Sequence, residues 1–273
     1  MSLENLYPFA GDHAIQNVVF ALEFDGALSP DQIRDVKKDA VKSLSADFPQ
    51  VDDQQVISIN ITPNQSKHQV APSPQIGGFT MQRSSGLSGA FARSIMVSPN
   101  SALIVLNDYS RWSEAIASVD RYLDVLLKVI GKLPKAITAI GLQYTDVFNW
   151  RSDPSDLVLT EVFEQTSPYI VPHVLRDGAP LMWHSHHGYF VDHAGPVPYR
   201  QLDNINVSRV EASGIHSLQI LTSHKVQFAG AMWQAGEKNR SHISTIFTKL
   251  HTANKDILRN LLTEDARRKI GLN

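Results

Sequence analysis

Ala14-Ile15-Gln16-Asn17-Val18-Val19-Phe20-Ala21-Leu22-Glu23-Phe24 is the stretch on which the fold turns. Gln16, Val18, Phe20, Leu22 and Phe24 make its more apolar side, and Ile15, Asn17, Val19, Ala21 and Glu23 the other. A period of two is the mark of a strand with one face against a core. Ala136-Ile137-Thr138-Ala139-Ile140-Gly141-Leu142-Gln143-Tyr144 starts a second run of the same design. After each come several β-rich segments and then a long apolar helix, one ending near Ile130 and the other near Leu262. The repetition predicts an α+β protein of two related halves, residues 1–134 and 135–273. Each half is a mostly antiparallel sheet packed by a long C-terminal helix, because short turns between successive strands favour antiparallel pairing. Two separate sheets and one fused domain are both compatible with this pattern.

The remaining elements follow from punctuation and period. Ser29-Pro30-Asp31 is a helix start, with serine as cap and proline in the first turn. Ile33, Val36, Ala40, Val41 and Leu44 continue it at helical spacing until Phe48-Pro49. Strands are expected at Gln55 to Ile61, Gly77 to Arg83, Ala90 to Val97 and Ala102 to Asn107, with a proline-containing loop over residues 62–75. Trp112, Ile116, Val119, Leu123, Leu126 and Ile130 define a helix from Trp112 to Leu133, with Ser110 as its cap. In the second half, strands are expected at Ala136 to Asn149, Val174 to Arg176, Leu181 to Val191, Gln201 to Glu211 and His216 to Gln227. A last long helix over Ser241 to Leu262 buries Ile243, Ile246, Phe247, Leu250, Ile257, Leu258 and Leu261.

Composition narrows the function classes. A chain of 273 residues with 42% hydrophobic residues can bury a substantial core. A net charge of -2 provides no general attraction to phosphate backbones or anionic lipid. Nowhere is there a run of roughly 20 apolar residues to span a bilayer, so no membrane partner is expected. Met1-Ser2-Leu3-Glu4-Asn5-Leu6-Tyr7 lacks the basic and apolar regions of a secretory signal. With no cysteine, thiol nucleophiles, disulfides and thiolate metal sites are excluded, and a cytoplasmic location is expected.

Gly141-Leu142-Gln143-Tyr144-Thr145-Asp146-Val147-Phe148 resembles a motif of a sporadically distributed, uncharacterised family of bacterial proteins of about this length. Its members carry glycine, leucine, a basic or polar residue and tyrosine, followed by a short polar pair. The opening strand from Ala14 and the closing segment Leu250-His251-Thr252-Ala253-Asn254-Lys255-Asp256-Ile257 are similar to that family's ends. Gln143 stands where a basic residue is usual. The resemblance carries over no catalytic residue, and the family's patchy distribution implies an accessory role in defence or toxin control.

Four constellations could carry chemistry. Tyr144 and Asp146 share one face of a strand, where a phenol and a carboxylate can hydrogen-bond a ligand. Trp183-His184-Ser185-His186-His187-Gly188-Tyr189-Phe190-Val191-Asp192-His193 supplies imidazoles; His184 and His186 share a face, and Asp192 or His193 would complete a divalent metal site by returning across a turn. Arg267 and Arg268, with Lys269, make a basic terminal helix that could touch nucleic acid or an acidic protein. Trp233, beside Met232, could anchor a partner. The Gly/Ser run Ser84 to Gly89 lacks the Lys-Ser/Thr of a phosphate loop, and no Gly-x-Ser-x-Gly elbow occurs.

The resulting expectation is a non-enzymatic binding or interaction module, with a protein partner or self-association and no cofactor. Two alternatives stand beside it: a metal-dependent enzyme using His184, His186, Asp192 and His193, and a nucleic-acid binder using the C-terminal helix.

Overall fold

The strands that start at Ile15 and Ala136 lie side by side at the centre of one continuous antiparallel sheet, which decides between the two arrangements left open. The computed structural model describes residues 3–57, 74–86, 89–176, 178–195, 197–228, 233–234 and 240–272. In the first half these form β1 (Leu6–Pro8), β2 (Ile15–Phe24), α1 (Pro30–Leu44), β3 (Gln50–Ile57), β4 (Pro74–Ser84), β5 (Phe91–Val97), β6 (Ser101–Leu106) and α2 (Trp112–Ile130). The second half forms β7 (Ala136–Trp150), α3 (Leu159–Val162), β8 (Trp183–His193), β9 (Tyr199–Ala212), β10 (Ile215–Phe228), β11 (Trp233–Gln234), α4 (Arg240–Leu261) and α5 (Glu264–Lys269). The strand order is β3-β4-β5-β6-β2-β7-β10-β9-β8, with β1 and β11 pairing the two ends of β7. The class is α+β.

The period of two decides which side of the sheet is covered. Val18, Phe20, Leu22 and Phe24 are buried, and they pair with or adjoin the buried Ile104, Leu106, Ile140, Leu142 and Tyr144. The buried stripes of α1, α2 and α4 pack on this face. Each fully buried side chain of the size of Phe20 or Phe247 contributes ~1.5–3 kcal/mol, which is what fixes the strand register against a one-residue slip. The opposite face carries half-buried residues such as Asn17, Val19, Gln143, Ser223 and Asn206.

Gly141 has a packing reason. A Cβ there would stand 3.3 Å from the Ala21 Cβ. In register, Ala21, Gly141 and Lys225 lie in one row across β2, β7 and β10, and Lys225 Nζ reaches past β7 to Glu23 Oε1 at 2.7 Å.

Several local expectations change. Val174 to Arg176 is no strand: Pro172–Leu175 is a 3-10 turn, opened by a proline that fixes φ and lacks an N–H. Arg111, with extended backbone, takes the cap position of α2, while the Ser110 hydroxyl donates to Glu114 at 2.5 Å. β3 begins at Gln50 rather than Gln55, with Lys37 of α1 bonded to Asp53 at 2.6 Å. The expected loop over residues 62–75 lies outside the described residues up to Pro74, where β4 starts.

Candidate functional site

Apolar burial is divided into two clusters, and a cavity opens where they meet. One cluster joins β2, β4, β5 and β6 to α1, α2 and the first turns of α4. The other joins β9, β10 and the segment after β7 to the last turns of α4 and to α5. The cavity between them has a volume of about 360 Å³. Its walls come from the chain entering β2, the turn before α2, strand β7, helix α4 and the C-terminal residues Ile270 to Leu272. A concave site of this size suits a small ligand.

Alternation along β7 turns Tyr144 and Asp146 to the helix-covered face, beside Val18 of β2 and Thr222 and Ile220 of β10. Both line the cavity. The Tyr144 hydroxyl lies 2.8 Å from His251 Nδ1. That imidazole stacks on Trp112, with ring centroids 4.2 Å apart and planes 4° from parallel. Phe20 stacks on Trp112 as well, at 5.8 Å, so the indole fixes the imidazole to the core. Burial, then the nearby Lys255 and His224, push His251 down to about 4, and the ring is neutral at physiological pH.

Asp146 is the unusual member. It is 2% exposed, forms no ion pair among the described residues, and its buried Oδ2 has no hydrogen-bond partner. Burial alone pushes its carboxyl up to about 7. Burial, with Asp146 as a neighbouring charge, also raises Tyr109 and Tyr144 above the ordinary phenol range, so both remain protonated donors. His13 Nε2–H donates to the Tyr109 carbonyl at 3.0 Å, and its buried Nδ1 has no partner.

Asn254 joins this cavity to a polar network deeper in the core. Thr222 Oγ1 donates to Asn254 Oδ1 at 2.6 Å, and His224 Nε2 lies 3.4 Å from the same oxygen. His224 Nδ1–H donates to Asp203 Oδ1 at 2.7 Å, and Gln201 Nε2 donates to the same carboxylate. These groups form one connected buried network, the usual arrangement for polar groups in a core; Asp146 stands apart from it.

The structure places the other expected residues elsewhere. Strand β8 runs unbroken from Trp183 to His193, so Asp192 does not return to the histidines: six residues of strand put it roughly 20 Å from His186. His184 and His186 are exposed on an edge strand, and His193 projects to the opposite face, where it stacks on Tyr199 at 4.5 Å. The Asp192 carboxylate is bonded to Arg200 at 2.7 Å, which holds it below the usual carboxylate range. Among the described residues, no group of three His, Cys, Asp or Glu is placed to hold a metal ion. Arg268 pairs with Asp265 at 2.8 Å and Glu264 at 3.4 Å within α5, and Arg267 is half-buried. Trp233 opens β11 beside Ile137; its side chain, like Met232, lies outside the described residues. Among the described residues no helix is long and apolar enough to cross a membrane.

Sequence reading missed His251, Asn254, Tyr109 and His13. One signal was present: Asn254 falls on the buried stripe of α4, four residues after Leu250 and three before Ile257, where an amide needs a partner. No protein-family model matches the chain, and no curated protein matches it significantly.

Proposed function

We propose that this chain is a non-enzymatic binding module whose ligand, a small molecule, enters the cavity between β7, α2 and α4. The observation that carries the reading is the unpartnered, buried Asp146 carboxyl in a cavity whose other polar groups are held in place by Tyr144, His251 and Trp112. A structural carboxylate in a core is ordinarily paired. One kept open inside a cavity is a recognition group waiting for its complement.

The topology supports a second element of this reading, that the two halves are related copies. β2 and β7 are neighbours, each is followed by a meander whose last strand returns beside it, and a long helix closes each half. The first half has the extra strand β3 and a full helix α1 where the second has the short α3. On this reading the ligand site arose where the second copy's helix crosses the central strand pair. Superposing residues 15–130 on 136–261 should match β2, β4, β5, β6 and α2 to β7, β8, β9, β10 and α4; a mismatch in strand direction or connection order sinks it.

One observation favours a second functional reading. A carboxyl titrating near pH 7 is poised to take a proton, so Asp146 could act as a general base on the bound molecule. Equilibrium dialysis of the protein against a bacterial metabolite extract, read by mass spectrometry, separates the possibilities. The binding reading expects a compound enriched by the native chain, lost on Tyr144→Phe with His251→Ala, and recovered unchanged. Recovery as a new compound favours the base, and no enrichment over the double variant ends both.

A further inference from the structure

Asp146 lacks a positive partner: among the described residues no cation lining the cavity is bonded to it. His251, the nearest imidazole on α4, is neutral and already bonded to the Tyr144 hydroxyl. Arg111, on the turn before α2, is largely exposed and lies 3.1 Å from Glu114. Lys255 also lines the cavity, yet it acts on His251 and makes no ion pair with Asp146. Tyr109 and Tyr144 are the groups coupled to the carboxyl, and both are uncharged phenols. From the segment before β2 come His13, bonded to the Tyr109 carbonyl, and Asp12, whose charge has the same sign as that of Asp146.

We propose that the cavity takes a compact organic ammonium ion, a primary amine in its R–NH3+ form, whose charge lies against the Asp146 carboxylate and whose carbon chain lies along Trp112 and Leu258. This names the ligand class for the site of the preceding section and rests on that reading. A neutral donor would satisfy one oxygen but leave the buried charge uncompensated, whereas an ammonium supplies three N–H donors and the missing charge together. A metal ion is disfavoured by the donors: the cavity's carboxylates are Asp146 and Asp12, His251 Nδ1 is engaged by Tyr144, and among the described residues no three His, Cys, Asp or Glu are placed to hold a metal. Hard cations need several oxygens and zinc needs four ligands.

Binding to the carboxylate must displace the proton that Asp146 holds at low pH. With a carboxyl at about 7, apparent affinity for an ammonium should fall roughly hundredfold between pH 8 and pH 5. Alkyl ammonium groups stay charged throughout that range.

The test uses three matched series, the ammonium, alcohol and carboxylate of each chain length from methyl to hexyl, titrated into the full chain and followed by amide chemical shifts. The proposal expects saturable shifts at Tyr144, Asp146, His251 and Asn254 from at least one ammonium. That compound should bind at least tenfold tighter than its alcohol and carboxylate, lose roughly hundredfold from pH 8 to pH 5, and lose at least tenfold in Asp146→Asn. Should the variant fail to fold, the pH dependence of the native chain decides alone. Equal or tighter binding of an alcohol or carboxylate at those residues overturns the ammonium while leaving the ligand site standing. No shift at those residues from any series overturns both.

Discussion

Asp146→Asn should reverse the usual cost of altering a core residue, and the size of the effect follows from one number. The carboxyl moves from 3.8 to about 7 on folding, because burial penalises the ion and nothing nearby compensates it. At 1.36 kcal/mol for each pKa unit, about three units amount to roughly 4 kcal/mol of stability lost once the carboxyl is forced to ionise. Below pH 4 both folded and unfolded chains hold the proton, and stability is independent of pH through this group. Between pH 4 and 7 the unfolded chain has released it while the folded chain keeps it, so stability falls as pH rises. Above pH 7 both have released it and the whole penalty is in place. Asparagine has the same shape and no charge; its amide carries a pH-independent cost of ~1–3 kcal/mol for a donor left unbonded. His251 titrates in an overlapping window with the opposite sign: its folded value near 4 lies below its ordinary 6.5, so stability through that ring is lost as pH falls. The charges acting on His251 are Lys255 and His224, not Asp146, so its contribution cancels between native chain and variant. Urea unfolding of both at half-unit steps from pH 4 to pH 8 isolates Asp146. The stability gap should shift in favour of the variant by roughly 4 kcal/mol across that range. A gap constant to within ~1 kcal/mol, or one moving toward the native chain as pH rises, would show that the carboxylate has a partner and refute the reasoning.

Other expected outcomes are checked more briefly. Tyr144→Phe removes the hydroxyl bonded to His251 and should cost ~1 kcal/mol in urea unfolding. Gly78→Ala places a Cβ 2.5 Å from the Val97 carbonyl oxygen and should cost ~1–3 kcal/mol, more than Gly141→Ala, whose nearest neighbour is a methyl group at 3.3 Å. Elemental analysis of untagged protein should find no stoichiometric metal, since His184 and His186 lack a third ligand among the described residues; bound zinc lost on His184→Ala with His186→Ala contradicts that. Retention on heparin should be weak and insensitive to Arg267→Ala with Arg268→Ala, because Arg268 is already paired with Asp265 and Glu264.

Much of the sheet was legible because local period and tertiary burial agree. Phe20 and Leu142 are alternating positions in the chain and neighbours in the register, so reading one face predicted the other. The sheet's continuity was not legible, because nothing local to β2 or β7 says that they pair with each other; that contact spans over a hundred residues. The same limit hid most of the site. Tyr144 and Asp146 announce themselves as two polar residues on one strand face, but His251, which bonds Tyr144, and Tyr109, which feels the Asp146 charge, arrive from separate elements. The histidine run of β8 failed in the opposite way: residues close in sequence are carried apart by an extended strand, at about 3.3 Å per step.

That contrast bears on why the polar residues of β7 sit where they do. The helix-facing side of β7 is apolar at Ile140, Leu142 and Phe148 and polar only at Tyr144 and Asp146, the stretch lying under the seam between the two clusters. Apolar residues there would let the clusters merge, gaining burial of ~25 cal/mol for each Å² withdrawn from water. The chain instead holds an indole between Phe20 and His251, bonds that imidazole to Tyr144, and keeps Asp146 open beside them. Asp146→Leu therefore gives a direct measure of what the seam is for. If the seam is merely imperfect packing, leucine should stabilise the chain at pH 8 with no other consequence. If the carboxyl is a recognition group, the same substitution should stabilise the chain and abolish every pH-dependent binding event at Tyr144 and His251, dissociating fold from function at a single atom pair.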